Sequence, residues 1–334
     1  MTKKKISTSG LIDLLQPRLG SKIVYKTDEF FGPAERILSQ NLPIWKEGLY
    51  DKNGKWMDGW ETRRKRQKGN DYLIISLGKP GKINIIDIDT SYFNGNQPEF
   101  ASIEGCYSES FDINKKISWK TILKKSKIKP NFQNMFMIKD KKSYTHIRLN
   151  IFPDGGVARL RLYGKIDINK LSIHRNNLIE LSSITNGSSI IAFNNEHFGK
   201  AENILAPGKS FNMSDGWETR RRRNKGNDWL IFKFGIPGYI KRIIIDTSHF
   251  KGNYPDYFNL QASYISNSKN ISKNLIIKNS IKWKYVIKKT KLYMDQEHII
   301  NENLLSNKLV NYIRINIFPD GGISRINIFG KIKN

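Results

Sequence analysis

One phrase is written twice in this chain. Asp58-Gly59-Trp60-Glu61-Thr62-Arg63-Arg64, closed by Arg66, returns 157 residues later as Asp215-Gly216-Trp217-Glu218-Thr219-Arg220-Arg221, closed by Arg223. The match continues on both sides. Phe30-Phe31-Gly32 answers to His197-Phe198-Gly199, and Asn70-Asp71-Tyr72-Leu73-Ile74 to Asn227-Asp228-Trp229-Leu230-Ile231. Asp89-Thr90-Ser91-Tyr92-Phe93 answers to Asp246-Thr247-Ser248-His249-Phe250, and Ile151 to Gly156 to Ile317 to Gly322. A chain of 334 residues therefore holds two copies of one domain. Each copy is roughly 140–150 residues, an ordinary size for a domain with its own core. The period is too long for a solenoid.

The apolar pattern inside each copy is that of strands. Ile147-Arg148-Leu149-Asn150-Ile151 and Ile313-Arg314-Ile315-Asn316-Ile317 alternate with period two, as do Arg159 to Tyr163 and Arg325 to Phe329. Ile83 to Ile88 and Ile240 to Ile245 are apolar runs suited to buried strands. Pro80-Gly81, Gly95-Asn96, Asp154-Gly155-Gly156 and their counterparts read as turns between strands. No long amphipathic helix is evident. The expected fold is all-β, a tandem duplication of a jelly-roll β-sandwich. The expected boundaries are an N-terminal extension over 1–20, a first repeat over 21–166, a linker over 167–187 and a second repeat over 188–334.

Composition narrows the function classes. No apolar stretch is long enough for a membrane helix, and Lys3-Lys4-Lys5 precedes no apolar segment of a signal peptide. Cys106 is the only cysteine, so no internal disulfide forms and the cytoplasm is the expected compartment. The net charge of +27 comes from lysines scattered among Ile and Asn. That pattern favours an anionic small substrate over nucleic acid, and neither nucleic acid nor membrane is an expected partner. The five histidines show no metal-ligand spacing, so no metal site and no cofactor are expected, although carboxylate-only metal sites have no readable spacing.

The repeated phrase carries the candidate chemistry. Asp58 and Glu61, like Asp215 and Glu218, precede a cluster of arginines. A guanidinium fork grips a carboxylate at two points, and a carboxyl group serves as general acid or base. A structural ion-pair network is the plainer reading of the same residues. Arg159 and Arg325 follow the Phe-Pro-Asp-Gly-Gly turns and are placed either to reach a ligand or to pair with Asp58 and Asp215. His249 stands where the first copy has Tyr92, and His197 where it has Phe30. Histidine titrates near neutral pH, so His249 is a further candidate.

The doubled Asp-Gly-Trp-Glu-Thr-Arg-Arg phrase, Asp246 to Asn253, and the doubled Ile-Phe-Pro-Asp-Gly-Gly resemble the allantoicase family, over about Phe30 to Gly330. The resemblance implies two galactose-binding-like sandwiches, homo-oligomers, and hydrolysis of allantoate to (S)-ureidoglycolate and urea in purine catabolism. For that substrate, Arg220, Arg221 or Arg223 is expected to hold the carboxylate, Asp, Glu and Asn side chains suit the ureido groups, and Asn253 and Arg325 are further expected substrate-binding residues. Glu218 or Asp215 is the expected acid/base and His249 its helper. Asp58, Glu61, Arg63, Arg64, Arg66 and Arg159 form either an equivalent site or a structural copy. The competing reading is a non-catalytic carbohydrate- or anion-binding module, because this kind of sandwich serves both ends.

Overall fold

A computed structural model describes residues 6–174, 177–266, 271–302 and 304–333. The chain divides into two compact units, Ile12–Leu171 and Ser172–Asn334, the second taking in Ser9–Leu11.

In the first unit the strands are β1 (Ile12–Asp13), β2 (Lys22–Lys26), β3 (Tyr50–Asp51), β4 (Gly54–Lys55), β5 (Trp60–Glu61), β6 (Asp71–Asp89), β7 (Phe100–Cys106), β8 (Lys120–Lys127), β9 (Gln133–Met137), β10 (Ser143–Phe152), β11 (Gly156–Val157) and β12 (Arg159–Ile166). Eight of them join in the order β1-β12-β6-β10-β7-β8, with β2 and β9 also on β6. All the pairs are antiparallel.

Strand β6 ties the two layers of the sandwich together. Its first half, Asp71 to Ser76, pairs with β10 and β2. Its second half, Gly81 to Asp89, pairs with β12, and Ile85 to Asp89 also with β9. The period-two residues supply the core: Leu73, Ile75, Ile83, Ile85, Ile147, Leu149, Leu160 and Leu162 are all buried. Burial of such side chains is the main favourable term, about 1.5–3 kcal/mol each.

The second unit repeats this plan. Its strands are β13 (Ile179–Glu180), β14 (Ser189–Phe193), β15 (Trp217–Glu218), β16 (Asp228–Asp246), β17 (Tyr257–Ser263), β18 (Lys284–Lys291), β19 (Glu297–Ile300), β20 (Leu309–Phe318), β21 (Gly322–Ile323) and β22 (Arg325–Ile332). The sheet order β13-β22-β16-β20-β17-β18 mirrors the first. A short helix, α1 (Lys273–Ser280), is capped by the Ser272 side chain accepting from Leu275 N–H. The all-β tandem jelly roll expected from periodicity is the fold observed.

Two features differ from the sequence reading. Pro80-Gly81 and Pro237-Gly238 are not turns between strands but lie inside the 19-residue strands β6 and β16. They stand where the ladder register shifts and the strand changes partners. A proline, lacking an N–H, is tolerated at such a break.

The second difference concerns the segments placed outside the repeats. Residues 12–19 are not an extension: β1 pairs with β12, and Leu14, Leu15 and Leu19 are buried. This segment comes so close to β6 that a Cβ on Gly78 would sit 1.7 Å from the Leu19 carbonyl oxygen. Ile179 to Gly187 is the matching segment of the second unit, with β13 on β22 and Leu181 and Ile184 buried. Within those stretches, 1–5 and 175–176 lie outside the described residues.

Candidate active site

The repeated phrase folds into a short strand and the loop that follows it. Trp60 is fully buried and donates its indole N–H to the Asp28 carbonyl at 2.7 Å; Trp217 does the same to Asn195 at 2.9 Å. The Trp of the phrase is thus core. Glu61 is gripped through its backbone from both sides. Its N–H and carbonyl bond Gly32 at 3.2 and 3.1 Å, and β5 pairs with β11 through Glu61 and Gly156. Both neighbours are glycine for want of space. A Cβ on Gly32 would meet the Gly59 carbonyl at 2.4 Å, and one on Gly156 the Phe93 ring at 1.9 Å.

Anchored this way, the Glu61 side chain faces a cavity of about 580 Å³. Phe31, Arg64, Lys65, Arg66, Asn96, Glu99 and Asp154 share the lining. Asn96 donates to Glu61 Oε1 at 2.7 Å. Burial pushes the Glu61 carboxyl above the ordinary carboxylate range; the Asn96 hydrogen bond opposes this and the charge of Asp51 adds to it. Lys65 is committed elsewhere, its ammonium on Asp71 at 2.8 Å and its N–H on Asp154 at 2.7 Å. Among the described residues the guanidinium groups of Arg64 and Arg66 make neither ion pair nor hydrogen bond, and both are exposed. The cavity therefore presents a buried carboxyl group, its pKa raised by burial, and two arginines without ion-pair partners among the described residues.

The other expected site residues are placed differently. Arg159 is 2% exposed, and its guanidinium donates to the carbonyls of Asn41, Leu42, Asp58 and Ala158 as well as to Asp58 Oδ2 at 2.6 Å. Arg325 repeats this on the carbonyls of Gly208, Lys209, Asp215 and Ser324, with Asp215 Oδ2 at 2.6 Å. Neither arginine has donors to spare for a substrate, and Asp58 and Asp215 are held as their counter-ions. Asp58, Arg63 and Arg159 do not line the cavity. Arg63 pairs with Asp28 at 2.6 Å, and Arg220 donates to His197 Nδ1 at 3.0 Å. His249 has a left-handed backbone (φ 72°), as Tyr92 does (φ 69°). Its Nε2 lies 3.0 Å from the Ser210 carbonyl, so the ring engages Ser210 rather than Glu218.

The second unit keeps the central pair. Asn253 donates to Glu218 as Asn96 does to Glu61. Glu218 is half-buried where Glu61 is buried, and Arg221 and Arg223 are exposed. Asn96 was missed as a site residue, although its counterpart Asn253 was singled out from the same repeated motif. Phe31 and Glu99 carried no comparable signal. Among the described residues, no group of three or more His, Cys, Asp or Glu is placed to hold a metal ion.

Fold and site together define a duplicated β-sandwich protein whose carboxyl–guanidinium site is built on a repeated loop. The allantoicase repeat profile matches residues 12–167 and again 179–333. A probable allantoicase of Pseudomonas aeruginosa is 43% identical over 330 residues, 99% of this chain and 98% of the relative. One from Acinetobacter baumannii is 44% identical over 320 residues, 96% of this chain and 94% of the relative. The crystal structure of allantoicase from Saccharomyces cerevisiae superposes with a TM-score of 0.81 at 32% identity, covering 97% of this chain and 94% of the other. The chain belongs to the allantoicase family.

Proposed function

We propose that the chain hydrolyses allantoate to ureidoglycolate and urea, and that Glu61 is the proton donor. Family membership supports the reaction; the observation that carries the site is Glu61, buried and clasped by Asn96, facing Arg64 and Arg66 across one cavity. Allantoate has one carboxylate and two ureido arms on a single carbon. Arg64 and Arg66 hold the carboxylate through charge-assisted hydrogen bonds. Glu61 protonates the nitrogen of the departing ureido arm, which leaves as urea while the other arm's nitrogen lone pair stabilises the carbon as an N-acyliminium ion. The same carboxylate, now ionised, takes a proton from the water that adds to that carbon. Glu218, Asn253, Arg221 and Arg223 have the same roles in the second unit, in a more open setting. Asp58, Asp215, Arg159 and Arg325 hold the loops, and His249 is fixed by Ser210.

The test is urea release from allantoate by the purified protein, with and without a chelator. Release in both conditions is the expected result. Loss on chelation would move the carboxylates into metal-ligand roles, and no release in either would leave a binding module. No described helix is long and apolar enough to cross a membrane. A cytoplasmic homo-oligomer fits the buried, single Cys106 and the family; light scattering tests the assembly.

A further inference from the structure

The segment that brings Asn96 to Glu61 brings a further acid, Glu99, to the wall of the same cavity. Its backbone is clamped at several points. Gly156 donates its N–H to the Asn96 carbonyl at 2.7 Å, and Glu99 donates its own to the Phe152 carbonyl at 3.0 Å. The Glu99 carbonyl accepts the Ile128 N–H at 3.0 Å. Gly155 lies so close that a Cβ there would meet the Pro98 nitrogen at 2.6 Å. The Glu99 side chain, by contrast, is exposed and makes neither ion pair nor hydrogen bond among the described residues. The other acids of the cavity are engaged: Glu61 accepts from Asn96, and Asp154 from the Lys65 N–H. The second unit repeats the arrangement with Asp256. Its N–H is on the Phe318 carbonyl and its carbonyl on the Leu292 N–H, each at 2.9 Å, and its carboxylate is likewise exposed and without a partner among the described residues. Those backbone bonds suit any residue with an N–H, yet both copies place an acid there.

We propose that Glu99 is a specificity-determining residue, the carboxylate that receives one ureido arm of the substrate while Arg64 and Arg66 hold the substrate's own carboxylate. This rests on the reading of the cavity as the allantoate site. A ureido group in its extended form presents two parallel N–H groups on one side, a match for the two oxygens of a carboxylate, whereas a simple amide presents one. Lining one cavity of about 580 Å³, Arg64, Arg66 and Glu99 are charged side chains that the protein itself leaves unsatisfied. Their signs are complementary to a ligand that is an anion at one end and a paired N–H donor at the other. Gln97 is less suited to the arm's N–H groups, because its side-chain carbonyl already accepts the Gly95 N–H at 2.8 Å. Asp256 has the same role in the second unit.

The experiment is calorimetric titration of the full chain with two monoanions, N-carbamoylglycine and N-acetylglycine. Both carry one carboxylate; the first ends in a ureido group and the second in an amide. The proteins are the wild type, Glu99→Ala, Glu99→Ala with Asp256→Ala, and Arg64→Ala with Arg66→Ala. Glu99 and Asp256 make no side-chain contacts to lose, so the variants keep the fold. Deleting a negative charge alters the affinity of both anions alike, so the ratio of the two dissociation constants is the reading. The wild type should prefer the ureido anion by about 10-fold, the scale of one hydrogen bond to a charged group. Glu99→Ala should shrink that preference and the double variant should bring it close to one. A wild type without the preference, or a preference that survives in the double variant, would overturn the proposal. Failure of the wild type to bind either anion, or binding of both that is indifferent to loss of Arg64 and Arg66, would instead sink the reading of the cavity itself, so the two failures are distinguishable.

Discussion

At the scale of single residues, the repeated phrase proves to be two devices interleaved. Trp60, Asp58 and the partner Arg159 build the loop; Glu61, Arg64 and Arg66 face the cavity. Each half predicts a different mutant. Arg159→Ala leaves the Asp58 carboxylate and four carbonyls without their donor. It should lower unfolding free energy by about 3–5 kcal/mol, read by denaturant titration. Arg64→Ala or Arg66→Ala should keep the fold and raise KM. A lost charged hydrogen bond of about 1.5–3 kcal/mol corresponds to roughly a 10–100-fold rise. The sequence showed that these residues act together, because duplication preserved them together. It did not show which arginine faces which carboxylate, since that depends on contacts such as Arg159 to Asp58, 101 residues apart. Arg159, equally placed by sequence for a ligand or for Asp58, turned out to be fully spent on the loop. Only the all-or-none count of its donors distinguishes the two.

At the scale of elements, period-two alternation made the strands legible, and the sandwich with them. It failed where a strand does not end at its punctuation. Pro80-Gly81 marks a change of partners within β6, because the strand serves two layers. That double service also explains a buried acid. Asp87, in the second half of β6, is 4% exposed and faces Asp89, Asp13 and Arg161. Burial first, then the neighbouring carboxylates, push its carboxyl up to about 7 from 3.8, and its Oδ1 has no hydrogen-bond partner among the described residues. The folded chain therefore holds a proton that the unfolded chain releases between about pH 4 and 7. Stability should fall as pH rises through that window. Asp87→Asn should remove that part of the slope and be the more stable protein at pH 8, measured by thermal unfolding at both ends of the window. The edge strands β8 and β18 explain part of the charge. Lys120, Lys124, Lys125 and Lys127 on one, and Lys284, Lys288, Lys289 and Lys291 on the other, are exposed along sheet edges. Lysines there oppose edge-to-edge pairing.

At the scale of the whole molecule, duplication gave two sites with unequal surroundings. The first has Glu61 buried; the second has Glu218 half-buried. A net charge of +27 surrounds both and should draw in an anionic substrate. kcat/KM should accordingly fall with ionic strength more steeply than kcat does. The central claim is that the Glu61 carboxyl delivers the proton that releases urea. It is tested most directly by urea release from allantoate by Glu61→Gln beside the wild type, with near-ultraviolet circular dichroism confirming the fold. The account predicts a rate lower by about 100-fold or more from loss of the acid. A folded Glu61→Gln protein that releases urea at the wild-type rate would contradict it.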